Sequence, residues 1–502
     1  MTIVLSTLNA RYTHASFGLR YLLANLGKHR DHAVLREYTI KRDPHEIVQD
    51  LLSLNPKVVG FGIYIWNTDQ TLRVVRLLKE ARPELILVAG GPEISHETET
   101  QEIFTFLDFV FKGEADFLFR DFVADFLERG ELPAQKVLGP KLPEIKQVIL
   151  PYHEYTDEDV RHRTLYVEAS RGCPYKCEYC LSSLDVSVRN FDVDVFLAEM
   201  QKLLDRGARQ FKFVDRTFNL SPTTSCKILQ FFLDRIDLGL FLHFEMVPDR
   251  LPDELKVLIK QFPPGSLQFE IGVQTWNPSV ARNVSRRQNY EKIAENLRFL
   301  RAETGVHTHA DLIVGLPGEN FESFARGFNS LAELAPDEIQ VGILKRLKGT
   351  PIVRHDQNFE MAYSSAAPFQ IQRNKDLSTE ELRQLEVFAD FWDLIANSGR
   401  YPSLTAHLKM HPSPFETFFK LSQHLHQNWG RTHSIHLREL DQTLPEALES
   451  LFEIPRSIAQ SLIEKDQLLR QKAHHAVSAL PARQQLGTMS DLQNESSFEH
   501  TF

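Results

Sequence analysis

Short apolar runs alternate with amphipathic stretches along the first 135 residues. The runs TIVLS, KVVGFGIYIW and ELILVAGGPE predict buried strands, and the second is apolar enough to be covered on both faces. Between them, SFGLRYLLANL carries leucines at i, i+3, i+4 and i+7, which is the stripe of a helix. This alternation predicts an α/β domain over residues 1–135, with a doubly wound, Rossmann or flavodoxin-like parallel sheet.

A second series of strands and helices follows a proline-rich stretch. Pro140, Pro143 and Pro151 interrupt regular structure, so residues 136–163 are interpreted as a connector. Residues 164–355 then contain about six strand and helix pairs, which predict a partial (β/α)6 barrel with its polar residues at the carboxyl ends of the strands. Amphipathic stretches predict a helical region over 356–480, and the polar residues 481–502 are expected to be disordered.

Composition narrows the classes of function. The net charge of −10 argues against a nucleic-acid partner, because a basic surface supplies most of that affinity. No run of eighteen apolar residues occurs, and the N-terminus lacks the pattern of a signal peptide, so we expect no membrane span. Three of the four cysteines are clustered, which is unlike a disulfide framework and fits a reducing, cytoplasmic location.

The clustered cysteines carry the clearest chemical signal. Cys173, Cys177 and Cys180 form C-x3-C-x2-C, and thiolates are ligands that suit zinc or iron–sulfur clusters. A structural zinc site takes four protein ligands, whereas three thiolates suit a [4Fe–4S] cluster that keeps one iron open for a substrate. The alternative is a zinc site completed by a distant His243 or His309. Cys226, in a predicted helix, is interpreted as a buried, inert thiol.

The cysteine spacing, with Tyr179 before the last cysteine, resembles the signature of the radical S-adenosylmethionine (SAM) enzymes. VEASRGCPYKCEYC, FVDRTFN, EIGVQT and DLIVGLPGE are similar to that family's segments, in the same order. The resemblance implies that the three cysteines bind a [4Fe–4S] cluster whose open iron chelates SAM. One electron then yields a 5′-deoxyadenosyl radical, and oxygen sensitivity is expected. It further implies that Tyr179 flanks the adenine and that Glu245 and Gln274 contact SAM.

Strand periodicity adds candidates inside the predicted barrel. Glu270, Gly272 and Gln274 share one face of a strand, as do His309 and Asp311 on another. We take Asp215, Glu270 and Asp311 as candidate catalytic residues. Asp215 and Asn219, at the end of their strand, are also candidates for contacts to SAM, similar to Glu245 and Gln274. The alternative for each is a polar residue in a buried hydrogen-bond network.

The N-terminal domain resembles the cobalamin-binding domain that precedes the radical domain in cobalamin-dependent members. VAGGPE and FKGEAD are similar to its glycine turn and its G-E-x-E-like segment. The D-x-H-x-x-G motif is absent and His14 has the wrong spacing, so cobalamin would bind without a protein imidazole. The alternative is a flavodoxin-like domain kept for packing or another ligand. The candidate cobalamin contacts are Asn9, Tyr64, Gly90, Gly91, Pro92, Gly113 and Glu114.

The C-terminal region resembles a domain of unknown function through stretches such as FADFWDLIANSGR. The whole order is broadly similar to the anaerobic magnesium-protoporphyrin monomethyl ester cyclase group. His407 and His411 have the i, i+4 spacing of a metal pair, but Pro412 argues against a helix there, and we expect solvated or hydrogen-bonded histidines. The region is interpreted as a cover for the open mouth of the barrel that also binds substrate.

Together these features predict a radical SAM enzyme. We expect methyl transfer to a small-molecule substrate, with cyclisation or rearrangement second, and an electron donor such as flavodoxin or ferredoxin. A cobalamin-free radical SAM enzyme is one alternative. A methylthiolating enzyme is disfavoured, because no second cysteine trio precedes Cys173. A non-catalytic iron–sulfur or cobalamin sensor is the other alternative, and it has no need of Glu245, Gln274 and Asp311 beside the cluster.

Overall fold

The N-terminal part of the chain forms a six-stranded parallel sheet in a computed structural model that describes residues 3–478. The strand order is β2-β1-β3-β4-β5-β6, which is the flavodoxin-like order of a doubly wound fold with a sixth strand added. The strands are β1 (Ile3–Asn9), β2 (Ala33–Thr39), β3 (Val58–Gly62), β4 (Ile86–Gly90), β5 (Phe109–Phe111) and β6 (Val137–Leu138). The helices are α1 (Phe17–Ala24), α2 (Pro44–Ser53), α3 (Thr68–Ala81) and α4 (Asp116–Arg129).

Successive side chains of β1 enter two different cores. Val4 and Leu8 pack with residues of α2 and α3, whereas Ile3 and Leu5 pack with residues of α1 and α4. Every residue of β1 is buried, as a strand covered on both faces requires. The predicted doubly wound sheet is therefore confirmed, and its apolar runs follow directly from burial on both sides.

The central part forms a second six-stranded parallel sheet, in the order β14-β13-β12-β11-β10-β7. Among the described residues β7 and β14 do not pair, so the sheet is an open, partial barrel, as predicted. Its strands are β7 (Leu165–Val167), β10 (Gln210–Phe213), β11 (Phe241–Met246), β12 (Leu267–Gln274), β13 (His307–Val314) and β14 (Glu338–Ile343). Two short strands, β8 (Ser170–Arg171) and β9 (Arg189–Asn190), pair with each other as an antiparallel ribbon.

Helices surround the barrel and connect its strands. Phe211 and Phe213 of β10 pack outward against them, while the intervening Lys212 faces the barrel interior. These helices are α5 (Asp157–His162), α6 (Val193–Asp205), α7 (Pro222–Leu233), α8 (Asp253–Ile259), α9 (Pro278–Asn283), α10 (Tyr290–Glu303) and α11 (Phe321–Glu333).

The C-terminal region is helical and shares the core of the barrel. Trp392 packs edge-on against Phe328 of α11, and its indole N–H donates to the carbonyl of Ile339 in β14 at 2.9 Å. The region contains the ribbon β15 (Ala362–Tyr363) and β16 (Ile371–Arg373), then α12 (Thr379–Trp392), α13 (Pro402–Lys409), α14 (Pro414–Trp429), α15 (Leu437–Phe452) and α16 (Arg456–Ser478).

Two expectations concern the end of the chain. Helix α13 ends at Lys409, so His407 and His411 do not share a helix, and their rings contact each other edge to face. The predicted disordered tail, 481–502, lies outside the described residues. Within residues 3–478, no helix has both the length and the apolar character needed to cross a membrane.

Candidate functional site

The cysteine loop, residues 172–188, connects β8 to β9. Gly172 has φ of +89°, and a Cβ there would lie 2.1 Å from the carbonyl oxygen of Ser187, so only glycine fits. The amide of Cys173 donates to the carbonyl of Asp185 at 3.0 Å. The sequence RGCP thus folds the loop back on itself and places the first cysteine at its base.

None of the three cysteines of the loop forms a disulfide, and all three line one cavity. Cys173 and Cys177 are buried and Cys180 is half-buried. Burial raises the pKa of the Cys173 thiol to about 11, and the other two thiols add to that rise. Among residues 3–478, no three His, Cys, Asp or Glu side chains are grouped around a single metal position. A cubane accepts each thiolate on a different iron, so these soft donors fit a cluster.

The cavity occupies the carboxyl end of the barrel and has a volume of about 310 Å³. Of the sequence-predicted residues, it brings together Cys173, Cys177, Cys180, Tyr179, Glu245, Glu270, Gln274 and Asp311.

Two arginines in the cavity were missed by the sequence reasoning. Arg286 donates to Cys177 Sγ at 3.3 Å and to the hydroxyl of Tyr179 at 3.2 Å. Arg216 pairs with the carboxylate of Glu245 at 2.9 Å. Burial and the neighbouring Glu270 carboxylate nevertheless raise the pKa of Glu245. Arg216 lies just after β10, whereas Arg286 lies between α9 and α10. Neither belongs to a motif with a recognisable spacing, so the sequence gave no signal for them.

The end of β12 holds a strained residue in the cavity wall. Gln274 has φ of +69°, a left-handed conformation that is uncommon for a residue with a side chain. Its amide group folds over Gly272, where a Cβ would come within 2.5 Å of Nε2 of Gln274. Strain of this kind persists only where surrounding structure enforces it, and it clusters at functional sites.

Histidines pair with the carboxylates inside the barrel. His243 Nε2 lies 3.1 Å from Glu270, and His309 Nε2 lies 3.4 Å from Asp311. Burial lowers the pKa of His243 to about 4. Burial also opposes the charge of His309, but Asp311 and Glu338 outweigh it and raise the pKa to about 9. The two histidines considered for a zinc site are thus each engaged by a carboxylate.

Asp215 and Asn219 lie outside the set of cavity-lining residues. The carboxylate of Asp215 accepts from the amide of Ala169 at 2.9 Å and from the Ser170 hydroxyl at 2.6 Å. Burial raises the pKa of Asp215 to about 7. The Asn219 amide donates to the carbonyl of Val247 at 2.9 Å. In the structure both side chains therefore hold the backbone that leads into the site.

The residues predicted to contact cobalamin occupy the carboxyl edge of the N-terminal sheet. The Asn9 amide group donates to the carbonyl of His14 at 2.9 Å, and the Tyr64 ring stacks on Trp66 with centroids 4.5 Å apart. Gly91 has φ of +107°, and a Cβ there would lie 2.5 Å from the carbonyl of Ile63. Gly90, Pro92 and Gly113 complete the edge. No residue before Tyr166 lines the described cavity.

This edge also contacts the central domain. Lys348 pairs with Glu93, and Gly349 packs against the ring of His96. His14 Nδ1 lies 2.5 Å from the hydroxyl of Tyr166, which lines the cavity. The edge thus presents aromatic rings and backbone atoms, and the nearby His14 is hydrogen-bonded to the hydroxyl of Tyr166. That donor set fits a corrinoid held without a protein imidazole.

Helix α12 forms one wall of the cavity, in line with the interpretation of the C-terminal region as a cover for the barrel, although the sequence did not indicate which of its residues line the cavity. Glu386, Ala389 and Asp390 lie at i, i+3 and i+4 and all line the cavity. Burial raises the pKa of both carboxyl groups. Asp390 also accepts from the hydroxyl of Thr432 at 2.6 Å. The C-terminal region therefore forms part of the site.

Comparisons with protein families divide the chain into three matched parts. The radical SAM superfamily model matches residues 167–330, and the B12 binding domain matches residues 3–123. A family described as a protein of unknown function, DUF4080, matches residues 357–499.

Curated relatives share moderate identity over part of their length. The cobalamin-dependent radical SAM methyltransferase TokK of Streptomyces tokunonensis is 25% identical over 58% of this chain and 47% of its own length. The chain spans about half the length of the curated relatives that it matches first.

Two solved structures share the fold. The cobalamin-dependent SAM radical enzyme OxsB, with aqua-cobalamin and SAM bound, aligns with a TM-score of 0.62 at 14% identity, over 99% of this chain and 84% of that one. The radical SAM methyltransferase TsrM of Kitasatospora setae, with cobalamin and a [4Fe–4S] cluster bound, aligns with a TM-score of 0.61 at 15% identity, over 94% of this chain and 100% of that one.

Proposed function

Because the chain belongs to the radical SAM superfamily and carries B12-binding and DUF4080 domains, we propose that it is a cobalamin-dependent radical SAM methyltransferase. Its substrate is proposed to be a small molecule. The observation that carries this proposal is the shared cavity, which brings three thiols together with Tyr179, Glu245 and Gln274. The methyltransferase names of the sequence relatives support methyl transfer over cyclisation.

The cysteine loop is proposed to hold the cluster through Cys173, Cys177 and Cys180. When bound, a [4Fe–4S] cluster supplies the electron that cleaves SAM, and cobalamin supplies a carrier for a methyl group. The Arg286 guanidinium donates a hydrogen bond to Cys177 Sγ. Arg286 also fixes the ring of Tyr179, which we propose flanks the adenine of SAM.

The carboxyl ends of β11 and β12 are proposed to hold the amino-acid part of SAM. Glu245 and Gln274 offer a carboxylate and an amide carbonyl, which accept hydrogen bonds from an ammonium group. Arg216 keeps Glu245 in place through its ion pair. Glu270 and Asp311, each paired with a histidine, are proposed as carboxylates that contact the substrate.

Cobalamin is proposed to bind at the carboxyl edge of the N-terminal sheet, against Asn9, Tyr64, Gly90 to Pro92 and Gly113. Ligands of doubly wound sheets bind at this edge. The substrate is proposed to lie between the cysteine loop and α12, so that DUF4080 closes the cavity and excludes water from the radical. A one-electron carrier such as flavodoxin or ferredoxin is proposed as the reductant.

The proposal is tested by anaerobic turnover of SAM. The full chain, reconstituted with iron and sulfide and supplied with cobalamin, is given dithionite and SAM, and 5′-deoxyadenosine is measured. We expect nucleoside from the native chain and none from Cys177→Ala, while Cys226→Ala, a matched cysteine in α7 outside the cavity, retains it. Bound zinc, no corrinoid and no nucleoside would overturn the proposal.

A further inference from the structure

Two arginines face each other at the base of the cysteine loop. Arg171 of β8 and Arg189 of β9 are direct partners in the antiparallel ribbon. Like charges at directly opposite positions destabilise a strand pair. Since the ribbon contains only two residues on each strand, it has little other pairing to offset that repulsion.

The N-terminal domain neutralises this pair. Glu114, just before α4, contacts both guanidinium groups, with its Oε2 at 2.8 Å from Arg171 Nη1 and at 3.2 Å from Arg189 Nη1. Asp116, at the first turn of α4, lies 3.0 Å from Arg171 Nη1. The side chains of Arg171 and Asp116 are only 11% and 4% exposed, so these contacts are shielded from solvent.

The central domain supplies one further carboxylate to each arginine. Glu168 lies 2.8 Å from Arg171 Nε, and Asp185 lies 2.7 Å from Arg189 Nη2. Asp185 is the same residue whose carbonyl accepts from the amide of Cys173. The ion pairs at the base of the loop are therefore continuous with the backbone contact that positions the first cysteine.

We propose that Glu114 and Asp116 are positioning residues that close the base of the cysteine loop, so that the N-terminal domain is a structural part of the cluster site. The inference rests on the proposed function only in that the loop holds a cluster. It gives Glu114 a different role from a cobalamin contact. It also joins the proposed cobalamin domain to the cluster through side chains, and any displacement of α4 is transmitted to Cys173.

The test measures thiol reactivity in the metal-free full chain. Cys173 and Cys177 are buried, so their alkylation, resolved by peptide mass spectrometry, reports opening of the loop. In Glu114→Gln we expect both to react about tenfold faster, because two facing guanidiniums lose their shared partly buried carboxylate. Asp121→Asn, an exposed acid on the same helix, is the matched control. Cys226 is the internal reference.

A double variant separates repulsion from general loosening. In Glu114→Gln with Arg189→Gln, one of the facing charges is gone, so we expect slower labelling than in Glu114→Gln alone. Unchanged labelling of Cys173 and Cys177 in Glu114→Gln would overturn the inference. It would also be overturned if the labelling of Cys226 rose equally and adding Arg189→Gln did not lower the labelling. Iron loading of the native chain is scored separately. A chain that binds no iron defeats the proposed function, while the labelling result still decides the role of Glu114.

Discussion

The molecule contains two six-stranded parallel sheets that differ in what their buried faces carry. In the N-terminal sheet, β1 and β3 are buried throughout, and apolar side chains pack helices on both sides. In the central sheet, apolar residues such as Phe211 and Phe213 pack outward against helices, while Glu245, Glu270 and Asp311 line the cavity. The same architecture is thus used once for packing and once to hold ionisable groups around a cavity.

The ionisable groups buried in the central barrel carry an energetic cost. Burying a carboxylate disfavours its charged form, and burial accordingly raises the pKa of both Glu245 and Asp215. The barrel offsets this cost with ion pairs such as Arg216–Glu245 and His309–Asp311. Substitutions in the N-terminal sheet should therefore change stability first, and substitutions inside the barrel should change ligand binding first.

The largest expected effect is loss of the cluster. Cys177→Ala removes one of three thiolates, and no fourth cysteine lines the cavity among the described residues. We expect iron content after anaerobic reconstitution to fall to background, measured by colorimetric iron assay. Cys226→Ala should retain native iron content, and equal loss in both variants would contradict the assignment.

The second effect concerns packing in the N-terminal sheet. Leu87 of β4 is fully buried, and Leu87→Ala leaves a cavity that costs about 3 kcal/mol of unfolding free energy. Hydrogen–deuterium exchange should show faster exchange across residues 3–138 and little change across the barrel strands. Comparable acceleration in β11 to β13 would mean that the two sheets do not differ as described.

The third effect concerns the barrel interior. Glu245→Gln keeps the shape of the side chain but removes its charge, so we expect SAM to bind about tenfold more weakly because one charge-assisted hydrogen bond is lost. Equilibrium dialysis with labelled SAM measures this change. Glu254→Gln, at an exposed position on α8, is the control, and equal affinity in both variants would exclude Glu245 from the site.

The smallest effect is a dependence of stability on pH. The folded-state pKa of His309, about 9, lies above its unfolded value of about 6.5. Its stabilising contribution is therefore complete below about pH 6.5 and is lost as the pH rises through about 9. The free energy of unfolding, measured by urea titration, should fall between pH 6.5 and pH 9 in the native chain. We expect His309→Gln to make that fall smaller by roughly 1–2 kcal/mol. An unchanged slope would contradict the charged state of His309.

Periodicity and spacing predicted both sheets and much of the cavity. Alternation of apolar runs predicted the sheets, because buried strands need continuous or alternating apolar residues. The inward positions of Glu270, Gln274 and Asp311 followed from the period of two. The cysteine loop was evident because three thiols so close together in the chain are typical of a site that binds a soft metal or an iron–sulfur cluster.

What the sequence did not reveal depends on contacts between distant segments. Arg286 reaches Cys177 across 109 positions, and Arg171 reaches Glu114 across 57. No local pattern encodes such pairs, since only the docking of one element on another brings them together. The C-terminal region was interpreted as a cover for the barrel, but the residues of α12 that line the cavity were not identified, for the same reason. Asp215, a sequence candidate for the cavity, lies instead where it accepts hydrogen bonds from Ala169 and Ser170.

The most direct measurement is Mössbauer spectroscopy of the full chain reconstituted with ⁵⁷Fe, with and without SAM. Three thiolates and one open iron predict a [4Fe–4S] spectrum in which about one iron in four changes its parameters when SAM is added. A spectrum that SAM leaves unchanged, or a chain that takes up zinc in place of iron, would contradict the central claim that this cavity holds an open cluster.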